Sequence, residues 1–267
     1  MRLSGRHPGS SKDFMIDLMF QTGPDGRPYA AWVLSGLEWT LGLALLGWSI
    51  AFVIGVAVGA GRCLEGRVIP ILCRLYVEVF RNIPLLVQMF LWYFVLPELL
   101  PTSAGDWIKN IPLPWGNFFP AAICLGTYTA SRVAEQVRAG IESLPSGQKE
   151  AAMAVGLSGW AVQRYVILPQ ALRLIIPSLT SEVMGIYKNT SVALTIGVME
   201  LTAQARHISE VTFQTFAAFT VVTLIYICLA MIVWGGMYLL EKRLTLDPSS
   251  VTRRTRYMTS HISGGAE

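Results

Sequence analysis

Long apolar runs alternate with short charged segments along this chain. From Phe216 to Leu240 no Asp, Glu, Lys or Arg occurs, and at about 1.5 Å per residue this run covers a hydrocarbon core about 30 Å thick. A second run, Trp32 to Ala60, contains only Glu38 near its start. Shorter apolar runs with charges and prolines lie at 75–98, 117–138 and 174–198. The pattern predicts an all-α integral membrane protein with about five transmembrane helices.

Basic residues are frequent after the first, third and fifth runs and sparse after the second and fourth. Because loops rich in Lys and Arg remain in the cytoplasm, the segments after those three runs are predicted to be cytoplasmic. An odd number of spans then makes residues 1–31 a polar extracytoplasmic tail and residues 244–267 a basic cytoplasmic tail. The basic residues of the first tail argue against this topology, because positive charge resists translocation. Only Arg27, however, lies clearly close enough to a span for its charge to count.

The formal net charge of +4 does not indicate a nucleic-acid partner. The basic residues lie between apolar runs instead of on one continuous polar face. Four cysteines occur without a CxxC pair and three histidines are far apart in sequence, so we predict neither a metal site nor a disulfide framework. The sequence also contains no GxxxxGK(S/T) phosphate loop, so ATP chemistry would have to come from another chain.

Residues 138–169 are too polar to span a membrane and are rich in glycine and proline. We predict a cytoplasmic helical hairpin here. Its first helix would run over 147–155, capped by Ser146 and ended by Gly156. Its second helix would run over 158–168 and stop before the proline that follows. A hairpin without catalytic residues fits a docking element for another protein, and an ordinary ordered loop fits the same pattern.

The spacing of residues in this hairpin resembles a known family. It matches the EAA loop of ABC importer permeases, here residues 141–171, at Glu150, Ala151, Ala152, Gly156, Leu168 and Pro169. Two more segments, EVFRNIPLLVQ at 78–88 and KNTS at 188–191, are similar to permeases for polar amino acids. Within that family the chain looks like one of the two permease subunits of a glutamate/aspartate importer. The likeness covers residues 32–243.

The resemblance implies a MetI-like ABC permease fold in residues 32–243, placed in the bacterial cytoplasmic (inner) membrane. It also implies three kinds of protein partner: an ABC ATPase dimer docked at the EAA loops, a second and related permease chain, and an extracytoplasmic solute-binding protein. This chain would then be a transport subunit and no enzyme. It would bind no cofactor itself, and ATP would be used by the partner ATPase.

Lys188 is the first candidate for the substrate path. An ionisable group inside a span costs at least about 2.5–3.5 kcal/mol on insertion scales, so it needs a partner or water. Gly185 weakens the helix before it, and polar groups follow it at Asn189, Thr190 and Ser191. Local unwinding would expose backbone groups beside a fixed positive charge, which suits an amino-acid carboxylate. The alternative is that Lys188 pairs with Glu182 or with an acid on the partner chain.

Arg81 is a second, weaker candidate. A span that starts near Leu75 places Arg81 about 9 Å from the cytoplasmic face, where we expect it to pair with Glu78. Pro84 removes an amide donor and frees the Phe80 carbonyl, so a polar, kinked inner gate is the alternative.

Two periodic patterns predict helix packing. Small residues at four-residue spacing in the first span permit close approach of another helix, at Ala51, Gly55 and Gly59. Charged residues at three-residue spacing in the third span predict ion pairs on one helix face, at Arg132, Glu135 and Arg138.

Other classes of membrane protein remain open at this point. A secondary amino-acid carrier without an ATPase partner would also use broken spans and an intramembrane lysine, although the EAA spacing argues against it. A membrane-embedded enzyme is disfavoured because no HExxH motif, paired catalytic acids or Ser/His/Asp arrangement is recognisable. A purely structural anchor would not need a docking loop together with polar groups at membrane depth.

Overall fold

The structure is a computed structural model that describes residues 17–244. The main elements of this part of the chain are helices. A short helical segment occupies residues 17–20. The helices that follow are α1 (Tyr29–Arg62), α2 (Val68–Asn82), α3 (Leu85–Leu99), α4 (Thr102–Lys109), α5 (Trp115–Glu142), α6 (Ser146–Ala154), α7 (Gly159–Leu174), α8 (Ile176–Asn189), α9 (Leu201–Thr212) and α10 (Thr215–Leu244). The all-α prediction is confirmed.

Two of the described helices, α1 and α10, are long and apolar enough to cross a membrane alone. Two helix pairs are also long and apolar enough to cross a membrane if each pair is counted as one broken span. They are α2 with α3, bent by 105°, and α7 with α8, bent by 66°. The run at 117–138 lies on α5, which is long enough but carries charged residues along its second half. The number of spans, about five by the apolar pattern, stays a prediction.

Helices α1 and α5 form the most extensive contact of the described fold. The small residues of α1, Ala51, Gly55 and Gly59, are buried in this contact. A Cβ atom added at Gly55 would lie 2.6 Å from Val133 Cβ, and one added at Gly59 would lie 2.6 Å from the Ala134 carbonyl oxygen. The predicted close helix approach is therefore confirmed, and its partner is α5.

Gly59→Ala is expected to destabilise the protein, because the new methyl group meets the backbone of α5 and not a flexible side chain. Overpacking of this kind costs about 1–3 kcal/mol. The melting temperature of the detergent-solubilised protein measures the effect. Gly235→Ala on α10 is the matched control, since a Cβ atom there meets nothing within 4 Å. Equal melting temperatures for the two variants would contradict the tight α1–α5 contact.

The break between α2 and α3 follows from Pro84. Ile83 is extended (φ −88°, ψ 128°), the conformation that a following proline favours. The carbonyl groups of Phe80 and Ile83 both accept hydrogen bonds from Gln88 Nε2, at 2.8 and 2.9 Å. The predicted release of the Phe80 carbonyl is confirmed, and Gln88 satisfies it at the bend.

Residues 17–28 fold back on the end of α1 and do not extend away from it. Leu18 is fully buried in an apolar cluster that includes residues of α9 and α10. The Trp32 indole N–H donates to Asp25 Oδ2 at 2.9 Å, and its ring stacks on His207 with centroids 4.5 Å apart. Residues 1–16 of the predicted outer tail and 245–267 of the predicted basic tail lie outside the described residues. The extracytoplasmic position of the first tail stays a prediction.

Candidate functional site

The first half of the candidate docking hairpin is helix α6 followed by a left-handed turn at Gly156 (φ +91°). The Gly156 N–H donates to the Met153 carbonyl at 2.9 Å, and the Leu157 N–H donates to the Ala152 carbonyl at 3.3 Å. These two bonds form a Schellman motif, in which glycine avoids the steric cost of the left-handed conformation. The prediction that Gly156 ends this helix is confirmed.

Two local predictions for the hairpin are wrong. Ser146 is the first residue of α6 and makes no capping bond; the serine that caps a helix is Ser158, whose hydroxyl accepts from the Ala161 N–H. The second helix does not stop before Pro169 but continues to Leu174 through a π turn at Gln163–Ile167. Pro169 lies in the first turn of the α-helical part that follows, where its missing N–H costs no intrahelical bond.

The hairpin has a small core and an exposed apolar surface. Its core consists of Ala152, Val162 and Ile167, while Glu150 and Ala151 are exposed on α6 and Leu168 is half-buried. Large exposed apolar side chains surround Gly156, at Met153, Val155, Leu157, Trp160 and Tyr165. Exposed apolar patches outside the membrane mark protein contacts. The surface fits a docking element better than an ordinary loop.

An ion pair connects this hairpin to the turn between α1 and α2. Lys149 Nζ lies 3.0 Å from Glu65 Oε1, and the two side chains are 46% and 76% exposed. An exposed pair of this kind adds little stability. It shows that the hairpin and the C-terminal end of α1 lie on the same face of the molecule.

Lys188 lies at the last turn of α8 and its side chain is exposed. Within residues 17–244 its ammonium group makes no hydrogen bond and no ion pair. The helix does not weaken at Gly185; it tightens after Lys188 into a 3-10 turn, Thr190–Ile196, which ends at left-handed Gly197. The Lys188 ammonium group, unpaired among these residues, therefore lies where the backbone changes from α-helical to 3-10 hydrogen bonding.

The three polar residues after Lys188 face different surroundings. Asn189 is half-buried, and the Ser191 hydroxyl donates to the Lys188 carbonyl at 2.8 Å. Thr190 is fully buried, and its hydroxyl donates to the Tyr187 carbonyl at 2.6 Å. Thr190 thus faces the protein interior and does not share a surface with Lys188.

Glu182 is not the partner of Lys188. It is buried, its Oε2 accepts from Arg132 Nε at 2.8 Å, and its Oε1 accepts from Gln136 Nε2 at 3.0 Å. These bonds join α8 to α5. The alternative in which Glu182 neutralises Lys188 is therefore wrong among the described residues, because Glu182 forms its ion pair with Arg132 instead.

Arg81 does not pair with Glu78 either. Glu78 Oε2 accepts instead from Asn82 Nδ2 at 3.2 Å, and Arg81 Nη1 lies 3.8 Å from Glu135 Oε2. Glu135 also accepts from Arg138, which confirms the predicted three-residue ion pair, and from Arg62 at the end of α1. The partnership with Arg62 was missed from the sequence because the two residues are 73 positions apart.

The two broken regions of the fold meet each other. Leu85 and Met89, just after the bend at Pro84, belong to the same apolar cluster as Ala193 and Val192 of the 3-10 turn. Lys188 and Arg81 precede these two packed segments in the chain. Exposed charged groups beside two helix breaks that pack against each other are typical of a route for a polar solute through a membrane protein.

The family described as the binding-protein-dependent transport system inner membrane component matches residues 51–246. This chain belongs to that family. The matched residues include both broken regions and the whole hairpin around Gly156.

Proteins similar to this chain are named as permeases for amino acids or for nopaline. The glutamate/aspartate import permease protein GltJ of Escherichia coli (strain K12) is 42% identical over 238 residues, which cover 88% of this chain and 97% of that protein. The nopaline transport system permease protein NocM of Agrobacterium fabrum is 36% identical, over 75% of this chain and 83% of that protein.

Two solved structures of ABC transporters are similar in fold to this chain. A crystal structure of an amino acid ABC transporter with histidines has a TM-score of 0.68 and 31% sequence identity, over 81% of this chain and 95% of that chain. The MetNI methionine ABC transporter in an inward-facing conformation has a TM-score of 0.64 at 18% identity, over 81% and 98% of the two chains. The expected MetI-like ABC permease fold is confirmed.

Proposed function

We propose that this chain is one of two permease subunits of an ATP-driven importer that carries glutamate and aspartate across the bacterial cytoplasmic membrane. Its partners are a second, related permease chain, an ABC ATPase dimer and an extracytoplasmic solute-binding protein. The residues of the substrate path are Lys188, Asn189, Ser191 and Arg81. The residues that contact the ATPase lie in the hairpin at 141–171, around Glu150, Gly156 and Pro169.

The exposed ammonium group of Lys188, which pairs with no other residue of 17–244, is the observation that carries the choice of an acidic substrate. A cation at membrane depth is unfavourable next to lipid and becomes favourable next to a carboxylate that binds there. Charge-assisted hydrogen bonds to a carboxylate are about twice as strong as neutral ones. The 42% identity to a glutamate/aspartate import permease supports the same substrate class.

The proposed topology places the hairpin in the cytoplasm and the N-terminus outside. The Glu65–Lys149 pair supports it, because both basic segments, the α1–α2 turn and the hairpin, lie on one face. The C-terminal end of α10 lines a groove together with Arg173 at the end of α7, which supports a common side for these two helix ends. Positive residues concentrated on a single face are expected on the cytoplasmic side.

Reconstitution of the whole importer tests the proposal. The permease pair and the ATPase are placed in proteoliposomes with ATP enclosed, and the solute-binding protein is added outside with labelled glutamate. We expect uptake only when ATP and the binding protein are both present, and we expect unlabelled aspartate to compete while arginine does not.

The same assay separates the importer from a secondary carrier. A carrier would accumulate glutamate on an imposed ion gradient without ATP, and a proton ionophore would abolish that uptake. Transport that continues with the ionophore while ATP is present supports the ATP-driven importer. Absence of glutamate uptake with all components present would overturn the proposed substrate.

A further inference from the structure

One carboxylate on α5, that of Glu135, faces three guanidinium groups. Its Oε1 accepts from Arg138 Nε and Nη2, at 3.2 and 2.6 Å. Its Oε2 accepts from Arg62 Nη1 and lies 3.8 Å from Arg81 Nη1. The cluster joins α1, α2 and α5 at the end of α1 that is next to the hairpin.

Charge in this cluster is not balanced. Glu142 bonds to Arg138 as well, so three arginines face two carboxylates, which leaves one positive charge in excess. Arg62 is well held, with a side chain only 10% exposed, whereas the Arg81 side chain is 51% exposed and, among the described residues, has only the long contact to Glu135. The excess charge therefore resides mainly on Arg81.

The segments that follow Arg81 and Lys188 in the chain pack against each other, so on the proposed path Arg81 comes after Lys188. Arg81 lies two residues before the extended Ile83, and the helix after this bend packs against the 3-10 turn that follows Lys188. The carboxylate of Glu78 accepts a hydrogen bond from Asn82 and, among the described residues, forms no ion pair with Arg81. A substrate carboxylate that reaches Arg81 thus meets a guanidinium group whose competing partner is the more distant carboxylate of Glu135.

We propose that Glu135 competes with the substrate carboxylate for Arg81 and thereby keeps the inner end of the path from retaining the substrate. This inference rests on the proposed glutamate and aspartate transport. With Glu135 ionised, its charge repels an incoming carboxylate and already occupies part of Arg81, so the inner station binds weakly. Without that charge, Arg81 and its two neighbouring arginines hold an anion tightly. Glu135 acts through Arg81 and is a positioning residue.

Inhibition of uptake by substrate on the inner side measures this station. Proteoliposomes of the complete importer are loaded with ATP and increasing concentrations of glutamate, and the internal concentration that halves uptake is determined. We expect Glu135→Gln to lower that concentration by about tenfold, which corresponds to about 1.4 kcal/mol of tighter retention. Arg81→Gln is expected to raise it, and Glu135→Asp, which keeps the charge, is expected to stay near the wild type.

The double variant Glu135→Gln with Arg81→Gln decides whether Glu135 acts through Arg81. It is expected to match Arg81→Gln alone, whereas a purely structural role would leave the Glu135→Gln effect in place. If Glu135→Gln does not assemble, Arg81→Gln alone is decisive, and an unchanged internal concentration there overturns the proposal. Absence of inhibition from inside in both the wild type and Glu135→Gln overturns it too, while absence of any uptake points to failure of the proposed transport function instead.

Discussion

Lys188→Ala is expected to reduce glutamate uptake more than any other single substitution in the substrate path. The ammonium group has no partner within the described chain, so its removal breaks no internal ion pair and leaves the fold unchanged. What is lost is a charge-assisted bond to the substrate carboxylate, worth about 1.5–3 kcal/mol, or roughly a tenfold to hundredfold change in the substrate concentration for half-maximal uptake. Labelled glutamate uptake at equal membrane levels measures the loss.

Two variants make this experiment specific to the position of the charge. Lys188→Arg keeps the cation and is expected to retain most of the uptake. Lys109→Ala removes an exposed lysine at the end of α4 that pairs with Glu98 at the end of α3, and it is expected to leave uptake unchanged. Normal uptake by Lys188→Ala would remove Lys188 from the substrate path and leave substrate selection to the solute-binding protein.

Features that depend on local chain chemistry were predictable from the sequence. Hydropathy located α1 and α10, because a membrane span requires a long run without charge. Pro84 located the break between α2 and α3, because a proline removes one helical donor and forces the residue before it into an extended conformation. Gly156 located the end of α6 for the same kind of local reason.

Features that depend on contacts between distant helices were not predictable. Glu182 and Arg81 were assigned partners one or two turns away, and the folded chain gives both of them partners on α5. Spacing in a sequence reaches only neighbours on one helix, which is why the Glu135–Arg138 pair was found and the Glu135–Arg62 pair was not. The isolation of Lys188 likewise appears only when the position of Glu182 is known.

The π turn at Gln163–Ile167 shows why the second hairpin helix was predicted too short. A proline inside an α-helical pattern normally ends the helix before it. Here the wider turn changes the register just before Pro169, and a new α-helical part begins with the proline in its first turn. The sequence carries no strong signal for a π turn, so the prediction followed the commoner rule.

Gly156→Asp is expected to separate ATP hydrolysis from transport. In the left-handed conformation of Gly156 a side chain costs about 1–2 kcal/mol, although nothing lies within 4 Å of an added Cβ atom. The new carboxylate also lies at the C-terminal end of α6, where the helix dipole disfavours negative charge. It places that charge amid the exposed apolar side chains of the hairpin, beside Val155, which is 79% exposed. The change therefore weakens the seating of the hairpin on the ATPase.

In the reconstituted importer, Gly156→Asp is expected to lower glutamate uptake by about tenfold or more while ATP hydrolysis continues, so that the ratio of glutamate transported to ATP hydrolysed falls. Gly26→Asp is the matched control. It introduces the same side chain at another left-handed glycine with open space (φ +78°), in the turn that precedes α1, at the opposite end of that helix from the Glu65 contact. Because Gly26→Asp carries the same backbone strain, a loss of coupling there would assign the effect to general destabilisation. Normal uptake by Gly156→Asp would remove the hairpin from the ATPase interface, since a charged, strained turn cannot leave a tightly seated contact unchanged.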